Sequence, residues 1–211
     1  APSVFAHMSQ PSARAVAALG SRFADYVVAD GEYATAPFLH AAQDLGLWVI
    51  ARLKANLPLL HPAAEARFRG QPPTLTFEAN GERIELWDAD DFDPWDALLW
   101  RSVRVLRYRQ HKPNGQVVEA DWLTNAPVAR VGSRALYRMA KSRWQVENQG
   151  FNDAKNRHGL EHLCHHHANS LLIGGLLILL ALCLERLYRL RYLHRGPHPV
   201  RTAIEFVRAL W

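Results

Sequence analysis

The chain has 211 residues with 25 Lys and Arg against 20 Asp and Glu, a formal net charge of +5 and a sequence pI near 9.5. A hydrophobic content of 49% excludes a disordered tail, and the length suits one core with an insertion better than two independent domains. Arg outnumbers Lys among the bases, which favours bidentate contacts to phosphate and agrees with a polyanionic partner. Two cysteines, Cys164 and Cys183, make neither a disulfide framework nor a metal knuckle, so a cytoplasmic location is expected. The first ten residues lack the basic start and apolar run of a signal peptide.

In chain order, Ser12 to Phe23 reads as a short Ala-rich helix after Pro11. Tyr26 to Ala29 is an uninterrupted apolar run of the kind found in a parallel strand buried on both faces. Asp30 and Gly31 end it. Thr35 is placed as an N-cap, Pro37 falls in the first turn, and Gly46 stops a helix from Thr35 to Leu45. Leu47 to Leu53 is a second strand, completing a strand-helix-strand unit. Asp30 then stands at the carboxyl end of a strand, where α/β sheets gather ligands; as Asp-Gly it also fits a simple turn. Asp25, at the start of that strand, belongs to the opposite end of the sheet.

From Leu57 to Arg130 the texture changes to Pro, Gly, Asp and Trp among short strands. Thr74 to Ala79, turning at Asn80-Gly81 into Arg83 to Trp87, is the clearest hairpin signal; Ser102 to Tyr108 and Gln116 to Trp122 flank a second turn at Pro113-Asn114-Gly115. The segment is expected to be an antiparallel insertion peripheral to the parallel strands. Asp88, Asp90, Asp91, Asp93 and Asp96 lack calcium-loop spacing and read as a solvated loop.

The stretch from Leu136 to His162 carries the densest chemistry. Leu136, Ala140, Trp144, Phe151 and Ala154 recur at helical steps and should be buried, while Arg143, Glu147 and Lys155 share the other side. Glu147 reads either as an intrahelical ion-pair partner of Arg143 or as an acid presented to a groove. His158, His162, His165 and His166 have loose zinc spacing without a Cys pair, so structural or nucleic-acid-facing histidines are expected. Leu171 to Leu184 is uncharged but short of the roughly 20 residues that span a bilayer, which points to a buried core helix. Arg186 to Arg195 and Val200 to Trp211 read as further helical segments.

Two of these stretches, RWQVENQGFNDAKNRHGLEH and VVADGEYATAPFLHAAQDLGLWVIARLK, together resemble DDE transposases of bacterial insertion sequences, in the branch marked by Tyr, Arg, Glu and Lys around the last catalytic acid. The family form has Tyr seven residues before the Glu and Lys seven after. Here the first position is Ala140, the nearest Tyr is Tyr137, and Lys155 lies eight after. The resemblance implies an α/β, RNase H-like catalytic core, N-terminally truncated, with a β-rich insertion and a helical C-terminal part: a partial core in 1–56, the insertion in 57–130 and the helical part in 131–211.

The same resemblance implies that Asp30 and Glu147 are catalytic and hold Mg2+ or Mn2+. It makes Arg143, Lys155, Tyr137, Arg138 and Lys141 contacts to double-stranded DNA at transposon ends and target, with a homodimer in the DNA complex and no membrane partner. Two carboxylates about 4 Å apart repel by roughly 4 kcal/mol at an effective dielectric of 20, and a divalent ion relieves that. A third acid is expected on an earlier strand, and the chain reads as the C-terminal portion of a strand-cleaving and strand-transferring enzyme. A remnant that binds DNA or a partner without cutting is the alternative, and a zinc or membrane protein built on the His cluster and Leu-rich helix a more distant one.

Overall fold

The computed structural model describes residues 24–95, 97–162 and 167–193, with the separate positions Arg14, Ala17, Ala18, Gly20 and Glu205. Most of the expected first helix and of the final one, together with Asp96, Cys164, His165 and His166, lies outside those residues. The chain forms two compact units, one through Arg143 and one from Trp144 onward.

The first unit is built on one six-stranded sheet. Its strands are β1 (Tyr26–Ala29), β2 (Trp48–Leu53), β3 (Leu75–Ala79), β4 (Glu82–Phe92), β5 (Val103–His111) and β6 (Val117–Thr124), in the order β1-β2-β6-β5-β4-β3. The expected strand-helix-strand unit is present: β1 and β2 are parallel, with Ala29 opposite Ala51, and α1 (Ala36–Asp44) connects them. Gly46, at φ +76, turns the chain out of that helix, a conformation that costs glycine little. Thr35 is the N-cap residue, yet its side chain makes no cap hydrogen bond.

The insertion is antiparallel, as its turns require, but it is not peripheral. β6 pairs directly with β2, so β3 to β6 extend the same sheet. Asn80 and Gly81, both at positive φ, form the tight turn of the β3–β4 hairpin. One element within 57–130 is helical: α2 (Leu60–Phe68), with Pro62 early in it. The period-2 pattern places alternate residues on opposite faces. Val49, Ala51, Val105 and Leu123 pack with Leu39 of α1 and Ala64 of α2; Ile50, Leu106, Tyr108 and Trp122 pack with Leu136, Tyr137 and Ala140 of α3 (Ser133–Gln145).

The acidic stretch is a strand and not a solvated loop through Phe92. Asp88 lies on the α3 side and receives a bidentate contact from Arg104, with Nε 2.8 Å from Oδ1. Both side chains are almost wholly buried, at 3% and 4% exposure. The remaining guanidinium nitrogen donates to the carbonyls of Ala126, at 3.0 Å, and Val131, at 2.7 Å. The pair therefore ties β4 and β5 to the loop that leads into α3. Asp91 behaves as expected of a surface acid, pairing with exposed Arg67 at 3.2 Å.

In the second unit a π-helical segment, Val146–Phe151, follows α3 and leads into α4 (Asn152–Arg157). Leu136, Ala140 and Ala154 are fully buried, as the helical stripe predicts, but Trp144 and Phe151 are 42% and 49% exposed. The wider π turn shifts the phase of the stripe beyond α3, which accounts for Phe151; Trp144 lies before that turn, and the shift does not explain its exposure. Helix α5 (Ala168–Tyr188) is also not the buried core helix expected. Leu182 is its one buried hydrophobic residue among those described, and Leu172, Ile173, Leu176 and Leu177 are well over half exposed. With its π continuation it spans 26 residues, Ala168–Leu193, long and apolar enough to cross a membrane by length and composition alone.

Breaking the buried pair should be costly. Arg104→Met strands the Asp88 carboxylate and is expected to lose about 3–5 kcal/mol, measured as a lowered urea midpoint at unchanged slope. Adding Asp88→Leu to that variant should restore much of the loss. A single variant as stable as the parent would show that the pair does not hold β4, β5 and the α3 loop together.

Candidate metal and nucleic-acid site

Asp30 follows the last residue of β1 in extended backbone, and its Oδ1 accepts a hydrogen bond from Gly31 N at 2.8 Å. It is thus both a cap for the 3-10 turn Gly31–Tyr33 and a carboxylate at the carboxyl end of a parallel strand. Its side chain is 35% exposed. Ala29 pairs with Ala51, so Asp30 stands opposite Arg52, and β2 runs on to Leu53 beyond it. Lys54, just past β2, places Nζ 3.1 Å from Oδ1 and 3.3 Å from Oδ2 of Asp30.

The turn around this carboxylate is closely fitted. A Cβ added at Gly31 would stand 2.8 Å from Lys54 Cδ and 3.2 Å from the Arg52 carbonyl, so a glycine lets the lysine stem lie across the turn. Asn56 Nδ2 donates to the Gly31 carbonyl at 2.8 Å, fixing the turn from the other side. Burial alone would raise the Asp30 pKa, but the Gly31 N–H, the Lys54 ammonium and the charge of Arg143 outweigh it and hold the group below its ordinary value. An ionised, partly exposed carboxylate has the oxygen donors that suit a hard divalent cation.

The cations of α3 divide by placement. Arg143 lies close enough to influence both Asp30 and Tyr108. Lys141 reaches over the Tyr108 ring at 5.2 Å and donates to Gln110 Oε1 at 2.8 Å; burial pulls its pKa down. Arg138 is exposed. Tyr137 is instead a core residue, 7% exposed, with its ring edge-on to Phe77 and Tyr108 at centroid distances of 5.8 and 5.2 Å. Arg52 projects from β2 on the α3 side, with its guanidinium 5.5 Å from the centre of the Trp122 ring.

Glu147 sits within the π segment of the second unit, and Lys155 is on α4, paired with Glu161 at 3.1 Å. The π segment accounts for the unusual spacing of these two residues. In an α-helix, seven residues come back to nearly the same heading, whereas eight overshoot by about 80°. A π turn closes i to i+5 and takes up about one extra residue. Eight residues across it therefore bring the backbone at 155 to about the angular position that seven reach in an unbroken helix. His158 is drawn off to Glu185 at 3.2 Å, and no group of three or more His, Cys, Asp or Glu that could hold a metal occurs among the described residues.

Sequence reasoning missed Lys54, Asn56 and the role of Gly31. The parallel pairing puts Arg52 opposite Asp30; Lys54 is two residues farther on the same face, and only its long side chain brings it back to the carboxylate.

A mixed sheet with a carboxylate at a parallel strand end and a cation-rich helix packed on one face defines an α/β domain. The family model of the transposase DDE domain matches residues 9–184, and the chain belongs to that family. A comparison with curated proteins finds no match.

Tyr137 offers a pH test of this packing. Burial disfavours the phenolate and pushes its pKa up to about 12 from 10.0. A raised pKa leaves stability intact below about pH 10, the unfolded value, and removes it as pH rises through the folded value near 12. The loss should approach 2–3 kcal/mol. Urea titrations between pH 9 and 12 should show that decline in the parent and a smaller one in Tyr137→Phe.

Proposed function

We propose that this chain contributes to DNA strand cleavage and strand transfer at transposon ends, as a catalytic portion of a DDE transposase of the insertion-sequence type with an RNase H-like core. Membership of the transposase DDE family implies a DNA substrate and a nuclease function linked to transposition. The observation that carries the finer reading is Asp30: a carboxylate at a parallel strand end, held ionised by Gly31, Lys54 and Arg143.

Asp30 and Glu147 are the proposed holders of Mg2+ or Mn2+, hard cations that take carboxylate oxygens. Bound there, the metal would activate the attacking oxygen and stabilise the leaving one. Arg143 and Lys141 offer positive charge to the phosphate backbone beside Asp30, with Arg138 and Lys155 extending the contact. Tyr137 supports that surface from within the core. The third carboxylate expected from the resemblance is not on β1, the first strand among the described residues, and is proposed to come from outside them. Binding DNA without cutting it is the second reading, drawn from the same resemblance.

The test measures nicking of transposon-end DNA by the protein with Mg2+ or Mn2+. Asp30→Asn and Glu147→Gln should each cut nicking by on the order of 10³-fold or more, as losing about 4 kcal/mol of transition-state stabilisation requires. Both should still bind DNA. Nicking that survives either substitution would remove that residue from the metal site.

The protein should also bind duplex DNA in a salt-dependent way. Its affinity should fall steeply between about 50 and 200 mM salt, as counterion release at several phosphates predicts. Filter binding across that range checks the slope, and a flat response would argue against phosphate contacts.

A further inference from the structure

We propose that Lys54 is a built-in counter-ion for the Asp30 carboxylate: in the metal-free protein its ammonium occupies the face of the carboxylate that a divalent cation takes, and the cation displaces it onto a phosphate of the DNA. This rests on the reading of Asp30 as a metal ligand.

Three features of the geometry point to it. The ammonium straddles the carboxylate, 3.1 Å from one oxygen and 3.3 Å from the other, which is where a cation using both oxygens would sit. The lysine stem is accommodated by a glycine, since a Cβ at Gly31 would meet Lys54 Cδ at 2.8 Å and Cγ at 3.1 Å. The turn is pinned independently by Asn56 on the Gly31 carbonyl at 2.8 Å, so the carboxylate stays in place when the lysine leaves. Oδ1 keeps the Gly31 N–H after the exchange, while Oδ2 exchanges the ammonium for the metal.

The charges make the exchange directional. A divalent ion outcompetes a single ammonium for a carboxylate that is 35% exposed, and the lysine, itself 47% exposed, has a free path to solvent. Arg143 already places positive potential at Asp30. A released Lys54 joins it in facing phosphate. Metal binding and DNA binding are thereby coupled through one side chain: without metal the lysine is neutralised by its own protein, and with metal it is available to the nucleic acid.

Two measurements that do not depend on activity test this. Mn2+ binding, followed by the EPR signal of the free ion, should tighten about two- to fivefold in Lys54→Met, the worth of an exposed ion pair. Lys54→Arg should bind like the parent. Gly31→Ala, which pushes the stem aside but keeps the charge, should tighten binding in the same direction. Asp30→Asn should lose this Mn2+ site, and Lys54→Met should then make no difference.

The second readout is the salt dependence of duplex binding. Lys54→Met should lower the slope of log affinity against log salt by about 0.9 in Mn2+ and leave it unchanged in EDTA, since one phosphate contact is worth that much. Unchanged or weaker Mn2+ binding in Lys54→Met, or an equal loss of slope with and without metal, overturns the counter-ion role and leaves Asp30 as a ligand. Unaltered Mn2+ binding in Asp30→Asn overturns the ligand assignment itself.

Discussion

The first unit depends on one buried charge. Arg104 is taken out of water at mid-strand, and its guanidinium is satisfied by the Asp88 carboxylate and by the carbonyls of Ala126 and Val131. An arginine offers five donors in a planar fork, so it can join two strands and a loop that no apolar side chain could hold together directionally. What it fixes is the path from β6 into α3. Leu136 and Ala140 then find the sheet, and Arg143 reaches the neighbourhood of Asp30. Such a pair is a weak source of net stability against a hydrophobic replacement; its service here is to select one geometry for the helix that carries the cations.

The two faces of the sheet divide the labour. On the α1 and α2 side the packing is almost wholly apolar near β1 and β2, then gives way to cross-strand ion pairs farther out, with Arg107 opposite Asp121 and Arg109 opposite Glu119. Asp121 holds the Arg107 guanidinium firmly charged, raising its pKa against the effect of burial. The α3 side carries a different series, Arg52 over Trp122 and Lys141 over Tyr108. Arg52 and Lys141 there meet aromatic faces, which leaves more of their charge for an external anion.

Local signals served wherever a local rule decides the conformation. The apolar run before Asp30 is a parallel strand as read, but β1 lies at the sheet edge with Ala29 its buried residue and is not buried on both faces; the Asn80-Gly81 turn is read correctly because positive φ restricts the residues allowed. Asp88 was misread because its local company is acidic and its partner is sixteen positions away; composition describes a neighbourhood in sequence, and the ion pair is a neighbourhood in space. The helix at Leu60–Phe68 was hidden by the prolines at 58 and 62, of which the second sits early enough to be tolerated. The exposure of α5 was not legible for a related reason, since apolar content shows that a surface could be buried but not what buries it. At the site, Asp30 could be found from its strand end, whereas Lys54 required the register of two strands together.

The π segment has a consequence for how this chain is aligned with others. Position along a helix can be counted in residues or in turns, and across Val146–Phe151 the two counts diverge by about one residue. Counted in residues, 155 lies eight beyond 147; counted in turns, its backbone returns to about the heading that seven residues reach in an unbroken α-helix. An alignment that counts residues alone loses that equivalence, and a gap placed within 146–151 keeps the turns in step.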